Sequence, residues 1–68
     1  MVELRNTLKA IRVEKEFTQA SLAQEVGVSR KTINTIENHV FTPSCLLAMQ
    51  IARALDVKVH EIFYLKDD

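Results

Sequence analysis

The single glycine of this 68-residue chain, Gly27, lies in the segment "EVGVS" between two stretches of helical apolar spacing. Val26 ends the first stretch, and Ser29 is a favourable N-cap for the second. Glycine readily adopts the positive φ that commonly terminates a helix. The break is too short for two helices to run antiparallel through a relaxed loop. A turn of about three or four residues with glycine instead predicts two helices that cross at a steep angle, a helix-turn-helix.

The residues on either side of Gly27 have the sizes that a close helix crossing needs. Ala23 lies on the inner side of the first of these helices and leaves room for a neighbour. Ile33 follows on the second helix, where its side chain can pack against that alanine. Each of these residues means little alone, but their combination at these positions favours a helix-turn-helix.

Apolar residues at helical spacing predict three further helices. The first helix rests on the recurrence of Leu4, Leu8 and Ile11, and the fourth begins after a Ser44 N-cap. No strand-like alternation of useful length is visible. The five predicted helices span residues 3–15, 19–26, 30–38, 45–55 and 59–64. We therefore expect one compact all-α domain over residues 1–68, with the helix-turn-helix at residues 19–38.

Composition argues against several classes of protein. The chain has one cysteine, Cys45, so no internal disulfide can form and a reduced intracellular thiol is expected. The sequence has no membrane-length apolar run and no signal-peptide pattern, which indicates a cytoplasmic protein. Neither a glycine-rich phosphate loop nor a nucleophile with a base is visible, so we expect no enzyme, no cofactor and no small-molecule ligand domain.

The outward side of the third helix carries polar side chains suited to reading DNA. The N-terminal side chains of an α-helix in the major groove meet the base edges, and this helix has no acidic residue before Glu37. A merely solvated helix face is the alternative. The formal net charge of zero also counts mildly against a DNA-binding protein. The predicted outward residues are Arg30, Lys31, Asn34, Thr35 and Asn38.

The segment "FTQASLAQEVGVSRKTINTIEN" resembles the helix-turn-helix of the phage-repressor family, which includes lambda-repressor-like, Cro-like and XRE-type domains. The resemblance covers residues 8–63 and is strongest to small stand-alone members. It implies five helices and a homodimer that binds double-stranded operator DNA. It also implies a sequence-specific transcriptional regulator, in most members a repressor, acting at a near-palindromic operator.

The resemblance assigns DNA contacts to individual residues. Asn34 lies at the rim of the base-reading surface, where it contacts bases or backbone. Gln19 matches a glutamine that contacts phosphate and also braces the recognition helix. The implied base contacts are Arg30, Lys31, Asn34 and Thr35, and the implied phosphate contacts are Thr18, Gln19 and Asn38.

Two further features concern the C-terminal end of the third helix. Arg12 and Glu37 match a buried ion pair that ties the first helix to the third, and exposure of both side chains is the alternative. His39 departs from the family, in which a glycine usually follows "IEN". A left-handed conformation at His39 would cost about 1 kcal/mol relative to glycine. A charged His39 beside a phosphate would strengthen DNA binding below neutral pH, and a plain exposed loop histidine is the simpler alternative.

The C-terminal segment "EIFYL" is more apolar than one small core requires. In related small regulators the fifth helix and the residues after it form the dimer contact. The resemblance therefore implies a homodimer interface at Phe63, Tyr64 and Leu65. A continuous core without a dimer is the alternative.

Two other functions remain open from the sequence. Antitoxins and bridging factors use the same fold to bind proteins, and here the loop "NHVFTP" and the fourth helix would carry the partner surface. A redox- or metal-sensing regulator would need an accessible Cys45. The spacing of Cys45 from His39 and His60 fits no standard metal site, so no metal is expected.

Overall fold

The computed structural model describes residues 1–67, which form five helices and a two-stranded sheet. The elements in chain order are β1 (Val2–Asn6), α1 (Leu8–Glu14), α2 (Gln19–Val26), α3 (Arg30–Glu37), α4 (Cys45–Leu55), α5 (Val59–Ile62) and β2 (Phe63–Asp67). The predicted five-helix fold with a helix-turn-helix at α2 and α3 is confirmed. None of the described helices is long and apolar enough to cross a membrane.

The expectation of a purely α-helical fold is wrong, because the two ends of the chain pair as an antiparallel sheet. The predicted first helix loses residues 3–7 and 15, the predicted third loses residue 38, and the predicted fifth loses residues 63–64. Leu4 lies opposite Leu65 in the register of the sheet, and its side chain still packs against the core. Leu4 therefore makes the core contact that was predicted for a helical residue, but it makes this contact from β1. The pairing partner of β1 lies at the far end of the chain.

The core lies between the helices and the inner side of the sheet. Ile33 and Ile36 of α3 are buried as predicted, in one cluster with Ala23 of α2. Phe63, which was expected at a dimer interface, is 7% exposed and belongs to this cluster. Its side chain completes the core at the point where α5 ends and β2 begins. The buried apolar residues are Leu8, Leu22, Ala23, Ile33, Ile36, Ile51, Ala52, Leu55, Ile62 and Phe63.

The turn between α2 and α3 is closed by hydrogen bonds at both ends. Gly27 has a φ of 86°, so the predicted left-handed stop is confirmed. The N–H groups of Gly27 and Val28 both donate to the Ala23 carbonyl, at 2.8 and 2.9 Å. Ser29 then caps α3, since its Oγ accepts from the Thr32 N–H at 3.2 Å. These bonds fix the angle at which α3 leaves α2.

Replacement of Gly27 by alanine is expected to lower the free energy of unfolding by about 1–2 kcal/mol. No described atom outside the neighbouring residues lies within 4 Å of the position that a Cβ would take. The loss therefore arises from the positive φ and not from crowding. Urea denaturation of Gly27→Ala beside Gly27→Asn measures it, because asparagine tolerates the left-handed region better. An equal loss in both variants would contradict this explanation.

The loop after α3 folds back onto that helix. His39 takes the left-handed conformation, with a φ of 62°, at the position where the family resemblance has glycine. The N–H groups of Val40 and Phe41 then both donate to the Thr35 carbonyl, at 2.9 and 3.2 Å. The left-handed residue thus reverses the chain, and residues 40–41 lie against the last turns of α3.

Candidate nucleic-acid interface

The outer face of α3 comprises Arg30, Lys31, Asn34, Thr35 and Asn38. Thr35 is partly buried and the other four side chains are exposed. Neither of the two cations forms an ion pair with another described side chain. The one acidic residue of α3, Glu37, is turned toward the interior. The outer face therefore presents positive charge and amide groups, with no carboxylate among them.

Thr35 differs from the rest of the outer face because its hydroxyl is already engaged. Thr35 Oγ1 donates to the Thr32 carbonyl at 3.0 Å. The hydroxyl hydrogen is therefore unavailable to a ligand, whereas the lone pairs of the oxygen and the methyl group remain. A contact from Thr35 to a base would accept a hydrogen bond or be apolar.

A buried ion pair holds α3 against α1. Arg12 Nε donates to Glu37 Oε2 at 2.6 Å, and Arg12 Nη2 donates to Glu37 Oε1 at 3.4 Å. The two side chains are 10% and 3% exposed. Arg12 Nη1 also donates to the Phe17 carbonyl at 2.8 Å. The structure therefore brings together the two residues for which the resemblance implies an ion pair.

Gln19 joins this pair from the first position of α2. Its Nε2 donates to Glu37 Oε1 at 3.0 Å, so the carboxylate of Glu37 accepts from both α1 and α2. Gln19 also lines a shallow groove together with Arg30, Lys31 and Asn34. The Gln19 side chain thus contacts the Arg12–Glu37 ion pair behind α3, which we refer to as the brace. It also borders the outer face of α3.

The other implied phosphate contacts lie at two separate helix ends. Thr18 caps α2, since its Oγ1 accepts from the Ser21 N–H and Ser21 Oγ accepts from the Thr18 N–H, both at 2.9 Å. Such an N-terminus carries partial positive charge and favours anions. Asn38 lies at the end of α3, where its Nδ2 donates to Asn34 Oδ1 at 3.2 Å. These two implied contacts therefore lie at the N-terminus of α2 and at the C-terminal end of α3.

Asn6 is a positioning residue that was not predicted. Its Nδ2 donates to the Ile36 carbonyl at 3.0 Å and lies 3.4 Å from His39 Nδ1. Its Oδ1 accepts from the Leu8 N–H at 3.1 Å, which starts α1. Asn6 thereby links β1 and α1 to the C-terminal end of α3. An asparagine just before a helix is a favoured start, and this signal was available but was overridden by the helical spacing that includes Leu4.

Cys45 lies exposed in the first turn of α4. Its Sγ donates to Met49 Sδ at 3.8 Å. Within residues 1–67, no group of three or more His, Cys, Asp or Glu side chains is arranged to hold a metal ion. Cys45 thus has the solvent access that thiol sensing requires.

A family model described as Helix-turn-helix matches residues 8–62. The chain belongs to this helix-turn-helix family. The match begins with α1 and ends with α5, so both strands lie outside it. The predicted membership of the phage-repressor type of helix-turn-helix proteins is confirmed.

Relatives in this family are named as regulators, repressors or antitoxins. An HTH-type transcriptional regulator of Methanocaldococcus jannaschii is 43% identical over 65 residues, which cover 96% of this chain and 98% of the relative. The immunity repressor protein of Bacillus phage phi105 is 36% identical over 55 residues, covering 81% of this chain and 38% of the relative. Antitoxin HipB of Escherichia coli is 28% identical over 57 residues, covering 84% of this chain and 61% of the relative.

A solved structure shares the fold. The crystal structure of a candidate DNA-binding protein from Bacteroides fragilis matches with a TM-score of 0.83 and 26% sequence identity. The match covers 90% of this chain and 98% of that chain. The helix-turn-helix fold and the arrangement of its helices are therefore those of a known structural class.

Proposed function

We propose that the chain is a sequence-specific regulator of transcription that binds double-stranded DNA through the outer face of α3. The observation that carries the proposal is the pair of exposed cations, Arg30 and Lys31, in the first turn of this helix. In helix-turn-helix proteins the N-terminal part of the second helix of the motif, which is α3 here, meets the base edges in the major groove. Glu37 is buried against Arg12, so its charge does not oppose the approach of phosphates. The local charge thus favours DNA although the net charge is zero.

The proposed contacts divide into residues that choose the sequence and residues that set the position. Arg30 can make a bidentate hydrogen bond to guanine, which is worth about 1–3 kcal/mol of discrimination. Phosphate contacts supply much of the affinity and make it salt-dependent. The proposed base contacts are Arg30, Lys31, Asn34 and Thr35, and the proposed phosphate contacts are Thr18, Gln19 and Asn38.

The brace behind α3 supports this proposal. Base edges are read by hydrogen bonds that depend on distance and angle, so the reading helix needs a fixed orientation. Glu37 receives hydrogen bonds from Arg12 and Gln19, which belong to two different helices. Gln19 also borders the outer face of α3. A phosphate that contacts the Gln19 side chain would therefore contact a residue that is hydrogen-bonded to the brace.

We further propose a homodimer that forms through the β1–β2 sheet. With Phe63 in the core, the proposed interface is Tyr64 and Leu65. Leu65 is 70% exposed. It points to the same side of β2 as Phe63, but it lies beyond the part of the core that Phe63 completes. A symmetric dimer would place two α3 helices about 34 Å apart, so the operator would be a near-palindrome.

The proposed dimer is a cytoplasmic repressor that acts by occupying promoter DNA. A protein seated in the major groove excludes other proteins from the same site, and no catalytic step is needed. The similarity to the immunity repressor protein of a Bacillus phage supports repression over activation.

Selection from a library of random duplexes by the purified protein, followed by sequencing, tests the proposed function. Enrichment of a near-palindrome with half-sites about ten base pairs apart would support both the reading helix and the dimer. Sedimentation velocity of the same preparation would report the dimer without DNA. If no sequence is enriched even at low salt, the proposed function is wrong.

Arg30→Ala is expected to relax the sequence preference at one base pair by about 1–3 kcal/mol. Gln19→Ala is expected to weaken binding to all sequences alike, because it removes a phosphate contact and a hydrogen bond to Glu37. Competition between the selected duplex and single-base variants separates the two effects. Gln24→Ala, at an exposed position of α2, is the matched control and should bind as the wild type does. The reverse assignment of effects to Arg30 and Gln19 would overturn these roles.

A second candidate function is the binding of another protein, as in an antitoxin. The similarity to antitoxin HipB favours it, and so do the exposed Val40 and Phe41 in the loop "NHVFTP". This function predicts that loop substitutions abolish capture of a protein partner. The absence of any enriched duplex in the selection would distinguish this protein-binding function from the proposed DNA-binding function.

A further inference from the structure

A shallow depression flanks the outer face of α3, and we refer to it as the Phe41 depression. Lys31 lines both this depression and the groove that Gln19 lines, so the two hollows lie on either side of Lys31. The depression is therefore continuous with the proposed base contacts. Its lining residues are Ser29, Lys31, Thr32, Thr35, Val40 and Phe41.

One wall of the Phe41 depression is apolar and is held firmly in place. Val40 is 77% exposed and Phe41 is 48% exposed, although both are large apolar side chains. Both residues donate their backbone N–H groups to the Thr35 carbonyl, at 2.9 and 3.2 Å. The wall is thus bonded to α3 itself and moves with the helix that carries the proposed base contacts.

The opposite wall is formed by Thr32 and Thr35, whose hydroxyls are already hydrogen-bonded within α3 and its N-cap. Thr35 Oγ1 donates to the Thr32 carbonyl at 3.0 Å, and Thr32 Oγ1 lies 2.9 Å from Ser29 Oγ. Neither hydroxyl is free of a hydrogen-bond partner, and both threonines also carry a methyl group that can make apolar contacts. The charged lining residue is Lys31, and no carboxylate lines the depression. The surface is apolar with a cationic rim, which suits an apolar group carried by a polyanion.

We propose that the Phe41 depression receives the 5-methyl group of a thymine and that Phe41 is a specificity-determining residue. The inference rests on the proposed function, since it concerns the same DNA surface. The thymine methyl is the apolar group that base pairs display in the major groove, and threonine methyls and phenylalanine are side chains that contact it. Lys31 at the rim is placed to contact the same base pair, its neighbour or the adjoining phosphate. The proposal therefore predicts a thymine in each half-site beside the position that Lys31 reads.

Uracil substitution tests this proposal, because uracil differs from thymine by the missing methyl group alone. Each thymine of the selected duplex is replaced in turn, and the Kd is measured with wild-type protein and with Phe41→Ala. We expect one position per half-site at which uracil weakens wild-type binding about fourfold, the equivalent of about 0.8 kcal/mol for one buried methyl-sized group. Phe41→Ala should remove this difference, and Phe41→Leu should largely retain it. Val13→Ala, at an exposed position of α1, should retain it in full.

The possible outcomes separate the inference from the function on which it rests. If the wild type binds the selected duplex and no uracil substitution weakens it, or the selected half-site has no thymine, the inference is wrong while DNA binding stands. A uracil effect that persists unchanged in Phe41→Ala also overturns it. Loss of a protein partner in Phe41→Ala, with unchanged DNA binding, would assign the depression to that partner instead. Failure to select any duplex would overturn the proposed function itself.

Discussion

Glu37→Ala is expected to lower the free energy of unfolding by about 3–5 kcal/mol, because it leaves Arg12 buried without a partner charge. Arg12 and Glu37 are 10% and 3% exposed and approach to 2.6 Å. The substitution also removes the acceptor of Gln19 Nε2. Urea denaturation followed by circular dichroism measures the loss. An unchanged melting temperature would show that the pair contributes nothing to the folded state.

Two variants serve as controls for Glu37→Ala. Glu37→Gln keeps an acceptor for Arg12 while removing the charge, so it should lose less stability than the alanine variant. Glu3→Ala breaks the exposed pair in which Arg5 donates to Glu3 at 2.7 Å and lowers the pKa of that carboxyl. Solvent screens this second pair, so its loss should leave the free energy of unfolding nearly unchanged. Equal losses for Glu3→Ala and Glu37→Ala would contradict a special role for burial.

Ile33→Ala is expected to lower the free energy of unfolding by about 2–5 kcal/mol, the range for truncating a fully buried isoleucine. Ile33 has no exposed surface and lies in one cluster with Ala23 at the crossing of α2 and α3. Its truncation would leave a cavity at the contact that sets the helix-turn-helix angle. Denaturation at equilibrium measures the loss, and DNA affinity is then compared where both proteins remain folded.

The matched control for Ile33→Ala is Val13→Ala, which truncates an exposed apolar residue of α1. Its effect on stability should be small, since little apolar surface is returned to water. A loss for Ile33→Ala no larger than that of Val13→Ala would show that the crossing tolerates a cavity. The importance given to a close fit at Ala23 would then be wrong.

The local signals in the chain were sufficient to predict the helix-turn-helix. Gly27 marks a positive φ, Ser29 and Ser44 cap the helices that follow them, and α2 and α4 have their predicted bounds. These signals act over one or two turns of backbone, so a single sequence displays them. Ile33 was assigned to the core for the same reason, since the helical period alone determines which side it faces.

The sheet could not be predicted from the same kind of signal. Each strand has five residues, and the partner of β1 is at the other end of the chain. Leu4 fits a helical spacing with Leu8 as well as it fits a strand, and its backbone conformation is decided by pairing with Leu65. The same long-range pairing hid the role of Asn6, whose contacts with Ile36 and His39 depend on the strand.

The site residues divide in a similar way. The contact between Arg12 and Glu37 was implied by the family resemblance, and the structure adds that Gln19 completes it. The internal bond of Thr35 and the apolar wall at Phe41 depend on how the loop returns to α3, which the residues alone do not reveal. The individual DNA contacts and the dimer remain predictions that selection from random duplexes and sedimentation velocity test.

The pairing of β1 with β2 sets an order of events in folding. The helices that pack on one another lie closer in sequence than the two strands do, whereas the sheet must close a loop that contains all five helices. Loop-closure entropy opposes that step until the helices have packed and shortened the distance between the ends. The sheet should therefore form late and open first, with amide hydrogens that exchange faster than those of the core. A dimer built on this sheet would accordingly assemble only from chains that have already folded.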